Sequence, residues 1–317
     1  MNRQAVTPKG KNINLRILET ERPNATSADL DCKSSLEIAR IINAEDARVA
    51  AAVKRSLPQI AQVIEWIAAA LAKGGRLIYV GTGTSGRIAA LDAAECPPTF
   101  DTDPKMVQFI IAGGPKALAE ASEASEDSRK LGRQAMAKKK TRKNDVVVGV
   151  AASGRTPFTI AAIEYARSQG AKTVAVVCNH NSPLQEAAHV SIVAEVGPEV
   201  VAGSTRMKAG TAQKMILNIL TTAAMTRLGY VYGNLMVNLH LKNEKLAERG
   251  IGILEEAAGV GRADARKLLR SAHNSVPVAL VMAKAGVTRI RAVAALKQAQ
   301  GHVRKAIATA KAREERS

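Results

Sequence analysis

The sequence predicts an α/β protein: a three-layer α/β/α sandwich around a doubly wound, parallel five-stranded sheet, followed by a small all-helical C-terminal domain. Three observations carry this. Five short apolar runs, at 77–80, 107–112, 146–150, 173–178 and 190–196, alternate with Ala-rich helical stretches near 85–95, 115–137, 156–169 and 183–188. Such alternation builds a parallel sheet covered on both faces. The run VVVGV at 146–150 contains no charge, as a strand buried on both sides requires, and no strand pattern follows residue 244.

Taken in order, residues 1–15 are polar and basic and read as a mobile segment, while 18–31 are rich in caps and turn formers and read as an ordered, extended arm. Ser34 or Ser35 caps a helix through Ile42, with Glu37 completing a capping box if Ser34 is the cap. Asn43 to Asp46 opens a second helix with Val49, Ala52, Val53 and Leu57 on one face. Pro58 opens a third, 59–73, which carries the only tryptophan, Trp66. After the sheet region a long helix is expected over 205–228, stopped by Gly229 and again by Gly233. Ala/Leu helices occupy the rest, giving expected divisions of 1–57, 58–245 and 246–317.

Bulk properties narrow the function. The 317 residues are 46% hydrophobic but only 3% aromatic, as in an aliphatic, helix-rich core. No apolar run approaches the roughly 20 residues of a membrane span, and the N-terminus lacks a signal-peptide core. Three cysteines without metal-like spacing read as reduced thiols, and the five histidines form no ligand cluster, so neither a metal nor another cofactor is expected. The net charge of +18 is concentrated in 262–317, with 13 Lys/Arg against 3 Asp/Glu, and in the cluster at 138–143. Neither region is interleaved with aromatics or matches a nucleic-acid motif, so a solvated basic face or attraction of anionic substrates is the expectation.

The chemistry lies in three loops. The strand at 77–80 runs into GTGTSG at 81–86 and then into a helix, so backbone N–H groups and the positive helix end face one point. Thr82, Thr84 and Ser85 add hydroxyl donors there. The second loop, AASGRTPFT at 151–159, offers Ser153, Arg155 and Thr156 after the third strand. In a sheet of order 2-1-3-4-5 these two loops share the crevice between the first and third strands. The third loop, GSTRMKAGTAQ at 203–213, brings Ser204 and Thr205 as caps, with Arg206 and Lys208 in the first turn of a helix. Either cation serves a bound anion or pairs with an acid such as Glu195 or Glu199. Gly81, Gly83 and Gly86 also satisfy GxGxxG, but no acid ends the second strand to hold a ribose, and no P-loop lysine is present. Two glutamates stand out by context: Glu95, before a Pro pair that is expected to end its helix, and Glu126, late in the helix after the second strand. Carboxylates in different environments divide acid and base work.

Together ERPNATSADLD (21–31), INAED (42–46), the stretch 74–86, ECPPTF (95–100), AASGRTP (151–157), GPEV (197–200), 203–214 and YGNLMV (232–237) resemble the N-acetylmuramic acid 6-phosphate etherases, of the sugar isomerase (SIS) fold group. The likeness runs in register from about residue 19 to 250. It implies cleavage of the D-lactyl ether of MurNAc 6-phosphate to GlcNAc 6-phosphate and D-lactate, without a cofactor, in cytoplasmic cell-wall amino-sugar catabolism or recycling. It assigns the acid to Glu95 and the second catalytic carboxylate to Glu126, and it implies a homodimer. The phosphosugar then falls to Thr84, Ser85, Ser153, Arg155, Thr156, Ser204, Thr205 and Lys208. A helix from Ser85 places Glu95 roughly 15 Å from the first loop, so a short or bent helix, or a second subunit, has to complete the pocket. A sugar-phosphate sensor and an aldose–ketose isomerase of the same fold are the competing readings. The sensor needs no acid–base pair, and the isomerase needs no donor to a leaving group at C3.

Overall fold

The computed structural model describes residues 18–120, 123–239, 241 and 244–314; the expectation for 1–15 lies outside them. The helices preceding the sheet are α1 (Ser35–Asp46), α2 (Val49–Lys54) and α3 (Leu57–Ala72). The sheet region comprises β1 (Leu77–Gly81), α4 (Gly83–Phe100), β2 (Val107–Ile111), α5 (Glu123–Glu126), α6 (Arg129–Lys138), β3 (Val146–Val150), α7 (Pro157–Ser168), β4 (Lys172–Val177), α8 (Pro183–Ala187), β5 (Val190–Val193) and α9 (Lys208–Arg227). A hairpin, β6 (Val231–Tyr232) and β7 (Leu235–Met236), leads to α10 (Glu244–Ala258), α11 (Arg262–Ser271), α12 (Val276–Ala285), α13 (Arg289–Gln298) and α14 (Val303–Glu314).

The five main strands are parallel in the order β2-β1-β3-β4-β5, with Gly81 beside Val150 at the carboxyl ends of β1 and β3. Successive side chains divide between the two faces. Leu77, Tyr79, Val146, Val148 and Val174 pack under α3, α4 and α9; Ile78, Val80, Val147 and Ala175 pack under α6, α7 and α8. Helices α6 and α7 approach so closely that a Cβ at Gly132 would lie 2.1 Å from the Phe158 carbonyl oxygen.

Several local expectations change. The arm is ordered but not extended: it winds through 3₁₀ turns at Glu19–Glu21, Ala25–Ser27 and Leu30–Cys32. It is fastened by Ser27 Oγ donating to the Val200 carbonyl at 2.7 Å and by Asn179 donating to Thr20 Oγ1 at 3.1 Å. The Ser34–Glu37 capping box forms, but Asn43 to Asp46 finish α1 rather than opening a helix. The Pro97-Pro98 pair does not end α4, which runs on to Phe100. Buried Phe100 anchors the last turn, and Asp101, in the left-handed region, supplies the stop. The single helix expected over 115–137 is three pieces, because Ser128 caps a fresh helix with its side chain accepting from Leu131 N–H. Helix α9 begins at Lys208, not Thr205.

The C-terminal helices form their own apolar core, which the hairpin residues Tyr232, Leu235, Met236 and Val237 join. They also repeat. Ala258-Gly259-Val260, Arg262, Ala265, Leu269 and Ala272 recur 27 positions later as Ala285-Gly286-Val287, Arg289, Ala292, Leu296 and Ala299. Gly259 and Gly286 both have φ near +70°, and the turns at His273-Asn274 and Gln300-Gly301 each place two residues in the left-handed region. Val276, Ala279, Ala283 and Ala285 recur again in α14 as Val303, Ala306, Ala310 and Ala312. This is a short helical repeat of two units, α11–α12 and α13–α14. It meets the sheet domain at Gly229, where an added Cβ would lie 2.5 Å from His302 Cα and φ is +87°. Gly229→Ala is therefore expected to cost more than about 1 kcal/mol, read as a lowered denaturation midpoint.

Candidate active site

The first loop closes onto the start of α4. Thr82 is extended at the N-cap position, Gly83 has φ +47°, and the first turn leaves its N–H groups beside partly exposed Thr84 and Ser85. Thr82 itself is buried, and its hydroxyl donates to Glu126 Oε2 at 3.0 Å. A Cβ at Gly83 would sit 3.3 Å from Glu126 Oε1. Glu126, at the end of α5, is thus held by its carboxylate against the first loop.

The second loop follows β3. Gly154, at φ +67°, lies where a Cβ would meet Ser182 Oγ at 2.2 Å, so only glycine permits this loop to sit on the start of α8. Ser153 Oγ accepts from Arg155 N–H at 3.2 Å, and Arg155 Nε is buried with no hydrogen-bond partner among the described residues. Ser153, Arg155 and Thr156 are all partly exposed. Ser182, Asn179 and the arm support the loop from behind, with Asn179 donating to the Ala152 carbonyl at 3.1 Å.

The third loop differs from expectation. Neither Ser204 nor Thr205 caps α9. Glu199 does so, its two carboxylate oxygens accepting from Lys208 N–H at 3.0 Å and Ala209 N–H at 2.9 Å. Burial pushes the Glu199 carboxyl up, against the two N–H bonds that hold it down. Lys208 is 1% exposed, and its ammonium lies 2.5 Å from Glu45 Oε2. Burial opposes the Glu45 charge, yet Lys208 and the Asn24 amide, with Arg48 nearby, hold its carboxyl below the usual value. The acid partnering Lys208 is therefore Glu45, on α1, while Ser204 and Thr205 remain partly exposed. Loops one and three meet at Gly210, where an added Cβ would lie 3.5 Å from Thr84 Cγ2.

Glu95 stands apart. It is exposed on α4, three helical turns beyond Thr84, on a face it shares with Leu91 (52% exposed), Ala94 and Pro98. The helix is continuous between the loop and Glu95, so a shortened helix does not bring it back to the loop.

A doubly wound five-stranded sheet with hydroxyl-rich loops at the carboxyl ends of β1 and β3 is the architecture of a SIS domain. Family models agree: the glucokinase regulatory protein N-terminal SIS domain matches residues 59–167, and the SIS domain matches residues 121–223. An N-acetylmuramic acid 6-phosphate etherase of Clostridium beijerinckii is 46% identical over 297 residues, covering 94% of this chain and 98% of that protein. One from Aliivibrio fischeri is 48% identical over 295 residues, covering 93% and 98%, and one from Aeromonas hydrophila is 48% identical over 291 residues, covering 92% and 98%. The chain belongs to the N-acetylmuramic acid 6-phosphate etherase family. No helix among the described residues is long and apolar enough to cross a membrane.

Proposed function

We propose that the chain cleaves the D-lactyl ether of MurNAc 6-phosphate by elimination and rehydration, with Glu126 as base and Glu95 as acid. The observation that carries the assignment of the base is the Glu126 carboxylate held against Thr82 and Gly83, at the mouth of the anion loop. In the ring-opened sugar the C1 aldehyde acidifies the C2 proton. Glu126 takes that proton, the electron pair forms the C2–C3 double bond, and the C3–oxygen bond breaks. Protonated Glu95 gives its proton to the departing oxygen, releasing D-lactate. Water then adds at C3 and a proton returns to C2, giving GlcNAc 6-phosphate.

The 6-phosphate fits the α4 N-terminus with Thr84 and Ser85, and Ser204 and Thr205 reach the same side past Gly210. Ser153, Arg155 and Thr156 are assigned to the sugar from the second loop. Lys208 is assigned to fastening α9 to α1 through Glu45. The reaction is placed in the cytoplasm, where the free thiols Cys32, Cys96 and Cys178 stay reduced.

A second copy is assigned to cover the α4 face, so that Glu95 of one subunit serves the loops of its partner. The test is complementation. When Glu95→Gln and Glu126→Gln chains are co-expressed one to one, half the dimers are mixed and each has one intact site. Recovery of about a quarter of wild-type D-lactate release is expected, from two variants that are inactive alone. No recovery from mixed dimers, isolated with two tags, means each chain uses its own pair.

A further inference from the structure

One helix connects the anion loop to Glu95, so the setting of α4 decides where the acid stands. The C-terminal part of α4 is poorly held by its own main chain. Pro97 and Pro98 have no N–H, so the carbonyls of Ala93 and Ala94, which flank Glu95 on its N-terminal side, lack the i+4 donors of a regular helix. One turn before Glu95 sits Asp92, 4% exposed, gripped from two directions. Tyr79 on β1 donates its hydroxyl to Asp92 Oδ2 at 2.8 Å. On α9, Asn218 Nδ2 donates to Oδ1 at 2.7 Å and the Thr221 hydroxyl lies 3.1 Å from the same oxygen. Cys96 adds a thiol contact to the Asp92 carbonyl at 3.3 Å.

A buried carboxylate is an expensive way to join two helices and a strand; apolar packing would serve as well. What a carboxylate adds is direction, since three donors fix both the rotation and the height of α4 at this turn. We propose that Asp92 is the positioning residue for Glu95, clamping the proline-weakened turn so that the acid meets the departing oxygen. The proposal rests on the reading of Glu95 as the acid. Asp92 touches neither loop nor substrate; it acts through the helix.

The two half-reactions separate this role from a merely structural one. Removal of the C2 proton is read as deuterium entering C2 of recovered MurNAc 6-phosphate in ²H₂O, and ether cleavage is read as D-lactate. In Asp92→Ala, lactate release is expected to fall about 10²-fold, as for a catalytic group displaced by about 1 Å, with KM within about twofold of wild type and C2 exchange retained. Asp92→Asn, which keeps the shape and one acceptor oxygen, should recover most of the lost kcat. Asn218→Ala removes one donor from outside α4 and should show the same pattern at smaller amplitude, which keeps the test informative if Asp92→Ala does not fold. Equal loss of exchange and release, or no change in either, overturns the proposal. Glu95→Gln run in parallel distinguishes the two readings. If that variant still releases lactate, the acid assignment fails; if it does not, while Asp92→Ala and Asn218→Ala keep the wild-type ratio of exchange to release, the Asp92 clamp fails.

Discussion

Glu126→Gln is expected to lower D-lactate release by about 10²–10⁴-fold and to stop deuterium from entering C2 of the substrate. The replacement is nearly isosteric, and its amide oxygen still accepts the hydrogen bond from Thr82, so the loop stays in place. What is lost is basicity at the point where the C2 proton leaves. Glu95→Gln is expected to lower lactate release over the same range, for a different reason. Its base remains, so the C2 carbanion forms, finds no acid for the leaving oxygen, and takes a proton back from solvent. Exchange without cleavage in one variant, and neither in the other, assigns the two roles. A Glu126→Gln variant that still exchanges C2 would move the base elsewhere.

Lys208→Met is expected to cost about 3 kcal/mol of stability, because it removes the buried cation from the Glu45 carboxylate and leaves only exposed Arg48 and the Asn24 amide to hold it. A denaturant titration reads the loss directly. Glu45→Met combined with Lys208→Met should return much of it, since packed apolar side chains replace a buried pair at little cost. The pair also sets an acid limit. The folded Glu45 carboxyl lies below its ordinary 4.5, so the folded state binds fewer protons there than the unfolded chain just below that value. Its stabilisation is complete above the unfolded value and is lost as pH falls through the lowered folded one. Lys208→Met should flatten that part of the stability profile. A variant of normal stability with a raised KM would instead return Lys208 to the substrate.

The sequence made the strand order and the three loops legible because they depend on local pattern and on one rule of sheet topology; the role of Glu126 came from the family resemblance, not from pattern. The cap of α9 was not legible. Ser204 and Thr205 have the chemistry of a cap, but Glu199 reaches the same N–H groups with a charge, and a carboxylate outcompetes a hydroxyl. Pairing of Lys208 with an acid was one of two open readings, but the acid itself was not legible, because Glu45 lies 163 residues away. The Pro pair looked like a stop because proline weakens helices by about 3 kcal/mol; here burial of Cys96 and Phe100 on the same helix outweighs that. The 27-residue repeat was hidden by composition, since alanine-rich helices resemble one another whether or not they share a register.

The helical repeat has a mechanical consequence. Its last helix returns to the start: His302 sits against Gly229, and the Arg304 guanidinium lies 4.8 Å from the Tyr232 ring. The chain leaves the sheet region through the hairpin, stacks α10 to α13 outward, and returns α14 to the hairpin strand it started from. The C-terminal domain is therefore a buckle, fastened at both ends to one point. Trimming the final helix would open the buckle at one end and leave the stack hanging from the hairpin, while a cut anywhere inside it would leave both halves attached.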